Sequence, residues 1–454
     1  MFKRTSTNAI PATIAVLLIL VVVGSSTQVV ASPVLQQPTR FLSPPFYGTT
    51  TVTSVFDHEL PLISTQNNPD PDGNPWTMHY DGTRDGPGAR SSYDQHRGID
   101  YALRYDLVRA AAPGTVAQAG WASTNHRASY GLHVRIDHDG GFRTIYGHMS
   151  VLRVQTGDTI SANADEFQRI IGRSGNTGNC WTSAGGNWRQ CTDDDPPTCG
   201  AHFHFQLEHN GRVVNPYGWI GAAVDPWSQH PNGATSIDQW VRYPSITNGD
   251  VFPSGAPLIA PPISENEPGA FIVDDGDADY WDPGCWTADN TAGWNNDYRR
   301  RNIPDGNCTA TWNFAQTRVA GRYNVFVHIP NDNVAPGNRR ATVDAVQYTI
   351  RHTVSSVHPA SKITETIVVD QWVYPNDAHT SRWVYLGAYY FDTNQYGTDY
   401  VRLESDTLDS RAGVMAADAV LFVPVRYRTY LPLVMSCYPP ILPATPVLNS
   451  ISNP

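Results

Sequence analysis

The sequence predicts an all-β protein in which a domain of antiparallel β-sheets with a groove is followed by a jelly-roll-like β-sandwich. Only 16% of its 454 residues are charged, whereas Gly (36), Pro (35), Tyr (22) and Trp (13) are abundant. Short runs of β-branched and aromatic residues alternate with glycine-containing turns, and no long stretch has the period of an amphipathic helix. This combination is typical of β-rich, loop-rich extracellular domains.

The first 31 residues have the features of a secretion signal. Lys3 and Arg4 precede an apolar run at 14–23 that is too short for a membrane-spanning helix, and residues 29–31 offer small side chains before a cleavage site. An uncleaved anchor is the alternative. We expect a secreted or cell-surface protein with no membrane contact after cleavage. The formal net charge of −11 disfavours a nucleic-acid partner, which requires basic patches.

Changes in composition divide the chain into segments. An N-terminal extension rich in Pro, Thr and Asn is either a loose lead-in or a segment packed over the domain that follows. A Pro-rich linker separates two β-rich domains, and a Pro-rich tail follows the second. The predicted segments are the signal 1–31, the extension 32–75, the first domain 76–244, the linker 245–268, the second domain 269–426 and the tail 427–454.

The first domain contains a series of short strand candidates. The turn Asp139-Gly140-Gly141 between two of them predicts a β-hairpin. The candidates and turn-and-strand units are 115–120, 132–136, 142–146, 156–160 and 170–175.

A further strand candidate, 201–207, carries two histidines. Its alternation places Phe203 and Phe205 on one face and His202 and His204 on the other. Two imidazoles on one face can serve a single metal site, in which one binds the ion and the other acts on the ion's ligand. The competing interpretation is a half-exposed strand that happens to contain two histidines, because a bare His-x-His motif has little specificity.

A second polar motif, His96-Arg97-Gly98-Ile99-Asp100, lies upstream. If the chain turns at Gly98, His96 and Asp100 can reach the same ion. An imidazole nitrogen and a carboxylate oxygen suit zinc, and three protein ligands would leave one position open, as catalytic zinc sites require. An ordinary solvated turn is the alternative for this motif.

All six cysteines lie outside the signal, and in an oxidising compartment they favour disulfides. We expect a bridge between Cys285 and Cys308 and one bridge within the cluster Cys180, Cys191 and Cys199. Zinc binding by the three clustered thiols is the other interpretation, but the cluster lacks the Cys-x-x-Cys spacing of zinc sites. Cys437 is near the end of the chain.

The order of these motifs resembles the LytM/lysostaphin-type zinc peptidases of the M23 class, which cleave peptide bonds in bacterial peptidoglycan. The matching residues cover about 75–225 and are 96–100, 112–116, Tyr146-Gly147-His148, 156–158, 171–178, 202–205 and Asn215-Pro216. The resemblance implies one zinc ion per chain, held by His96, Asp100 and His204. It also implies that His202 and His148 are catalytic residues that orient or deprotonate the attacking water and stabilise the oxyanion. Tyr130 and Tyr146 are candidates either for groove walls or for buried packing.

The chain departs from the family pattern at residues 179–200. There an insertion with three cysteines, two tryptophans and the acidic run 193–195 separates the Ser-Gly-x-Thr-Gly turn from the His-x-His strand. We expect a cysteine-stapled loop beside the groove that either shapes specificity or decorates the rim. The acidic run is expected to be a solvated turn and not a calcium site.

The second domain has aromatic strands at short spacing, which predict a β-sandwich. Its sequence resembles the golvesin/xanthan-lyase C-terminal-like domain through Ile272-Val273-Asp274, 312–314, 321–325, 383–387 and 417–420. The resemblance implies an accessory module that either binds glycan or is purely structural. We expect no acid/base or metal cluster within 271–425.

Together these features predict a secreted zinc endopeptidase that acts as a monomer on the peptides of peptidoglycan. The alternatives are a non-catalytic protein that binds cell-wall peptide or glycan on the same fold, and a zinc peptidase for extracellular proteins.

Overall fold

The computed structural model describes residues 40–59, 77–85, 95–184, 187–192, 195, 199–261, 263, 265–303, 306–330, 340–343, 345–353, 361–371, 383–393, 398–405 and 413–425. These residues belong to one compact unit that begins at Arg40. The predicted signal, the predicted tail and Cys437 lie outside the described residues.

Strands dominate both halves of the described chain and confirm the predicted all-β class. The first half contains β1 Val52–Ser54, β2 Thr77–Met78, β3 Arg84–Asp85, β4 Ile99–Tyr101, β5 Leu107–Arg109, β6 Gly114–Trp121, β7 Leu132–His138, β8 Phe142–Leu152, β9 Thr159–Ile160, β10 Ile170–Ser174, β11 Trp181–Ala184, β12 Asn187–Gln190, β13 Phe203–His209 and β14 Arg212–Val214. The second half contains β15 Phe271–Val273, β16 Tyr280–Trp281, β17 Thr287–Asp289, β18 Tyr298–Ile303, β19 Thr309–Asn313, β20 Gly321–His328, β21 Val346–Thr353, β22 Lys362–Val369, β23 Trp383–Phe391, β24 Tyr400–Glu404, β25 Gly413–Ala417 and β26 Val420–Pro424.

Helices in the described part of the chain are single turns. They are α1 Glu166–Arg169 and the 3₁₀ turns Asp139–Gly141, Pro226–Gln229 and Trp294–Asn296. None of these described helices has the length and hydropathy that a membrane crossing would need.

The first domain is built around three adjacent antiparallel strands. Strand β13 lies between β4 and β8, and β8 also pairs with β7 and β10. The hairpin predicted at 139–141 is present between β7 and β8, with Gly140 and Gly141 at positive φ. The inward faces of these strands form one apolar core that includes Ile99, Tyr146 and Phe205. The core fixes the register of the strands, because a one-residue slip would turn the apolar side chains outward.

Residues on both sides of the first domain join this core. Strand β1, from the predicted extension, pairs with β4, and residues 40–59 thus pack over the domain as one of the two sequence interpretations had it. The start of the predicted linker is held as well, since Asn248 exchanges hydrogen bonds with the backbone of Val52. Phe252 is buried in the same core. The linker stretch is therefore anchored to the first domain at its beginning.

The second domain consists of two larger antiparallel sheets and one small sheet. The strand orders are β15–β26–β20–β23, β22–β21–β24–β19–β16 and β17–β18–β25. Val325 and Phe422 from the first sheet and Ile350 and Leu403 from the second belong to one buried cluster. Packing of two sheet faces on a shared core is the arrangement of a β-sandwich.

The two domains meet along the end of β8. Val368 and Val369 of β22 pair with Leu152 and Val151, so a sheet of each domain continues into the other. Arg153 follows directly and donates a hydrogen bond from Nε to the carbonyl oxygen of Leu386, at 2.8 Å. This junction fixes the sandwich to the strand that also carries His148.

Candidate active site

Strand β13 brings the His-x-His pair to the centre of the first domain. Phe203 and Phe205 are completely buried in the core, and the alternation predicted from the sequence turns His204 to the opposite face. The antiparallel register sets His204 opposite Asp100 of β4 on one side and Gly147 of β8 on the other. Side chains from three neighbouring strands therefore converge at one point.

Asp100 of β4, His204 of β13 and His96, which lies just before β4, place their donor atoms in a compact triangle. Asp100 Oδ1 lies 2.9 Å from His204 Nδ1 and 3.2 Å from His96 Nε2, and the two nitrogens are 3.1 Å apart. Two ligand atoms of a tetrahedral zinc ion, each about 2.1 Å from the metal, are separated by about 3.4 Å. The triangle therefore has nearly the size of one face of a zinc coordination shell, and its two imidazoles and one carboxylate are zinc donors.

Gly98 makes the close approach of the two motifs possible. A Cβ atom at this position would lie 2.4 Å from His204 Cε1, which is too close for any side chain. The buried Nε2 atom of His204 has no hydrogen-bond partner in the described part of the chain. The hydrogen-bond contacts of this ring are thus made through Nδ1, on the side of Asp100 and His96.

Two residues of the N-terminal extension orient the His96 ring through contacts to its Nδ1 atom. His96 Nδ1 lies 2.9 Å from the carbonyl oxygen of Val55 and 3.0 Å from Ser54 Oγ. Because a carbonyl oxygen only accepts, Nδ1 carries the proton and Nε2 presents a lone pair to Asp100 and His204. A ligating histidine held in this way has a fixed tautomer and ring orientation. No sequence pattern indicated these two residues, because Ser54 ends the three-residue strand β1, Val55 follows it, and neither belongs to a motif.

A β-bulge aims His148 at the same point. Leu132 pairs with Met149 and Val134 with Tyr146, so Gly147 and His148 together oppose one residue of β7. His148 has φ 57°, in the left-handed region that non-glycine residues seldom adopt. Its Nδ1 donates to the carbonyl oxygen of Thr177 at 2.7 Å, which leaves Nε2 as the acceptor atom of the neutral ring.

His202 lies beside His148 and is held in the same manner. The two ring centroids are 4.3 Å apart. His202 Nδ1 donates to the carbonyl oxygen of Gly200 at 2.7 Å, and Nε2 lies 3.7 Å from Asp100 Oδ2. The structure thus brings together all five residues that the sequence singled out, three with converging donor atoms and two with imidazoles alongside.

Burial and mutual charge set the protonation tendencies of the site. Burial alone would raise the pKa of Asp100, but His96, His202 and the hydrogen bond from His204 hold that pKa well below its ordinary value. Burial, followed by the charge of His202, lowers the pKa of His148 well below 6.5. Burial lowers the pKa of His202 too, but the Asp100 carboxylate outweighs it and raises this pKa to about 10. A divalent cation next to Asp100 would oppose that rise.

The insertion contacts His202, since Cys180 Sγ lies 4.0 Å from His202 Nδ1. Strands β11 and β12 pair as a hairpin, and Cys191 is bridged to Cys199, which is the single bridge expected within this cluster. Cys180 remains a buried free thiol, so thiolate zinc binding by all three cysteines is excluded in this structure. The predicted Cys285–Cys308 bridge is present as well.

Three further residues that the sequence singled out, Asp195, Tyr130 and Tyr146, are placed by the structure as follows. Asp195 of the acidic run accepts a hydrogen bond from the backbone of Thr192 at 2.8 Å and pairs with Arg189. Tyr146 is completely buried and packs in the core, whereas Tyr130 is half-buried with its ring 5.4 Å from that of His204.

The expectation that the second domain lacks an acidic cluster is wrong. Carboxylate oxygens of Asp274, Asp275 and Asp418 lie within 4.8 Å of one another, and all three residues are buried. Pairing of β15 with β26 joins parts of the chain that are remote in sequence, so no local motif could show this cluster. His328 Nδ1 donates to Asp418 Oδ2 at 2.6 Å, and Arg299 pairs with Asp275. Burial raises the pKa of Asp275 to about 7 and that of Asp418 to about 6.

Comparison with known proteins matches the two domains separately. Residues 94–216 match the model of peptidase family M23, and residues 271–424 match that of the Golvesin C-terminal domain. The glycyl-glycine endopeptidase ALE-1 of Staphylococcus capitis is 34% identical over 84 residues, which are 18% of this chain and 21% of the relative. The DD-carboxypeptidase/endopeptidase Mpg of Neisseria gonorrhoeae is 30% identical over 122 residues, which are 27% of this chain and 22% of the relative.

The chain thus spans about a fifth of the length of these curated relatives. Among solved structures, the catalytic domain of the prophage-encoded M23 protein EnpA from Enterococcus faecalis is similar at 23% identity, over 38% of this chain and 95% of that one. Its TM-score of 0.24 is too low for the likeness to carry an argument about function.

Proposed function

Because this chain contains a peptidase family M23 domain at residues 94–216 and a Golvesin C-terminal domain at residues 271–424, we propose that it is a secreted, zinc-dependent endopeptidase that hydrolyses peptide bonds in bacterial peptidoglycan. The observation that supports this most strongly is the triangle of donor atoms from His96, Asp100 and His204, with two further imidazoles directly beside it.

In the proposed site the triangle of His96, Asp100 and His204 would hold one zinc ion per chain. Bound there, zinc would supply a Lewis acid that polarises a carbonyl group and lowers the pKa of a water molecule. Asp100 contributes the one negative charge of the ligand set, and its depressed pKa keeps it ionised over the whole physiological range. The hydrogen bond to Val55 keeps the Nε2 lone pair of His96 aimed at the metal position.

The two remaining histidines, His148 and His202, are the proposed acid–base residues for the proton of the attacking water. The hydrogen bond from Nδ1 to Thr177 and the lowered pKa leave Nε2 of His148 free to accept a proton from the attacking water. Nε2 of His202, whose Nδ1 is held by Gly200, can accept a proton only where bound zinc offsets the raised pKa of that ring. An imidazole that has accepted this proton becomes a donor, and it can then stabilise the oxygen atom on which negative charge develops. The pair thus serves both as base and as electrostatic support without any further residue.

The proposed substrate class is inferred from the names of the similar proteins. ALE-1 is named a glycyl-glycine endopeptidase and Mpg a DD-carboxypeptidase/endopeptidase, and these names describe different peptide bonds. We propose a peptide of the cell wall as substrate and assign no single bond. For the second domain we propose an accessory role in which it binds glycan and holds the catalytic domain at the wall.

Mass spectrometry of peptidoglycan after incubation with the purified, zinc-loaded protein tests this proposal. We expect new fragments with new amino termini and no cleavage of a denatured protein substrate under the same conditions. Binding to the wall without new amino termini would instead favour a non-catalytic binding protein. Equal cleavage of the protein substrate would favour a general extracellular peptidase.

A further inference from the structure

The two backbone carbonyls that orient the non-ligand histidines lie at or close to the two ends of the insertion 179–200. Thr177, which accepts from His148, lies two residues before the insertion, and Gly200, which accepts from His202, is its last residue. The last residue of the insertion therefore determines which nitrogen of His202 carries the proton, and the turn just before the insertion does the same for His148. A loop that only decorated the rim would not make these contacts.

The end at Gly200 is fixed by the disulfide and by close backbone packing. Cys199, the neighbour of Gly200, is bridged to Cys191, and the amide of Cys191 donates to the carbonyl oxygen of Cys180 at 2.9 Å. Gly200 has φ 58°, and a Cβ atom there would lie 2.7 Å from the carbonyl oxygen of Trp181. The chain entering the insertion and the chain leaving it thus hold each other in place.

The free thiol of Cys180 fills the space between these two ends. Its Sγ lies 3.4 Å from the carbonyl oxygen of Thr177 and 4.0 Å from His202 Nδ1, and its side chain is completely buried. Cys180, Cys191 and Cys199 form one buried cluster. The sulfur atom of Cys180 therefore packs on the Nδ1 side of the His202 ring, whose Nε2 faces Asp100.

From these contacts we infer that the Cys191–Cys199 bridge positions His202 for catalysis by fixing Gly200, so that the insertion is a working part of the active site. The inference deepens the proposed peptidase function and depends on it. Cys191 and Cys199 are positioning residues, since they act through the Gly200 carbonyl. Without the bridge Gly200 is no longer tied to Cys191 through its neighbour Cys199, and His202 loses the partner that directs Nε2 towards Asp100.

The test compares removal of this bridge with removal of the other one. The double variant Cys191→Ala/Cys199→Ala takes away both partners, because a single variant would leave a thiol that could pair with Cys180. Cys285→Ala/Cys308→Ala in the second domain is the matched control. Rates are measured on solubilised peptidoglycan fragments, with zinc content determined for each protein.

We expect the first variant to keep one zinc per chain and a similar KM while kcat falls by about 10- to 100-fold, the range for loss of an orienting contact. The control should keep the wild-type kcat. A kcat equal to that of the wild type, or a loss that simply follows loss of zinc, would overturn the inference. An inactive wild-type protein would instead refute the proposed function.

A second measurement does not depend on turnover or on how the variant folds. Nitrogen-15 NMR of the zinc-loaded wild-type protein reports which nitrogen of each histidine is protonated. We expect His202 and His148 in the Nδ1–H form. A His202 found in the Nε2–H form would contradict the assigned role of Gly200 whatever the variants do.

Discussion

At the scale of single residues, the site is defined by which nitrogen each histidine presents. The carbonyl oxygen of Val55 accepts a hydrogen bond from His96 Nδ1, so that Nε2 of His96 faces the proposed metal position, whereas His204 presents Nδ1 to Asp100. His148 and His202 keep Nε2 free through carbonyl partners. In three of the four rings a backbone carbonyl thus accepts a hydrogen bond from Nδ1, and the proposed roles of these histidines depend on that contact.

Substitution of a proposed ligand should remove the metal together with the activity. We expect His204→Ala to fall from one zinc per chain to nearly none, because two remaining ligands hold zinc far more weakly than three. Metal analysis after dialysis and an assay for new amino termini check this. His209→Ala, a substitution on the same strand outside the site, is the matched control. A His204→Ala protein that retains its zinc would contradict the ligand assignment.

At the scale of strands, the sequence predicted the local patterns and missed the long-range ones. The alternation of residues 201–207 was enough to pair His202 with His204, and the turn at 139–141 was enough to predict the hairpin. The bulge at Gly147-His148 and the packing of β1 on β4 depend on neighbouring strands that no local motif shows. For the same reason the acidic cluster around Asp418 was missed.

Strand β1 provides a prediction of its own. Ser54→Ala removes one of the two oxygens near His96 Nδ1 and leaves the Val55 carbonyl in place. We expect zinc affinity to fall by about 10-fold, at the lower end of the range for such orienting contacts. Competition with a chromogenic chelator measures the affinity. Thr51→Ala, which removes an exposed hydroxyl of the same segment, should leave it unchanged.

At the scale of the whole molecule, hydrogen bonds of Arg153 hold the junction between the two domains. Arg153 donates to the carbonyl oxygens of Leu386, Phe167 and Ile170 at 2.8–3.3 Å, and thereby ties both domains to the end of β8. We expect Arg153→Ala to destabilise the protein by about 2–4 kcal/mol, because it leaves buried carbonyl oxygens without a hydrogen-bond donor. We also expect the single calorimetric unfolding transition to split into two.

The control for the junction is an exposed arginine. Arg143 pairs with Asp137 at the surface, and such pairs contribute about 1 kcal/mol or less. Arg143→Ala should therefore keep a single transition near the wild-type temperature. Equal effects of the two substitutions would show that the junction does not couple the domains.

The buried carboxylates of the second domain predict a pH dependence of stability. The pKa of Asp275 in the folded protein is about 7, above the ordinary value of 3.8, so the folded state binds the proton more tightly than the unfolded state. The resulting contribution to stability is complete below pH 4 and is lost as pH rises through about 7. We expect Asp275→Asn to remove it, so that the melting temperature of wild type relative to the variant falls between pH 5 and pH 8. A constant difference would refute the raised pKa.

If His96, Asp100 and His204 hold zinc while His202 acts with His148 in the chemistry, removal of the His202 imidazole should separate metal binding from catalysis. Wild-type protein and His202→Ala, each shown to contain one zinc per chain, are incubated with peptidoglycan, and the rate at which new amino termini appear is measured. We expect the variant to bind zinc normally and to be slower by roughly 10²- to 10⁴-fold, the contribution of a positioned acid–base residue. A fully active His202→Ala protein, or a zinc-loaded wild type that releases no new amino termini, would contradict the account.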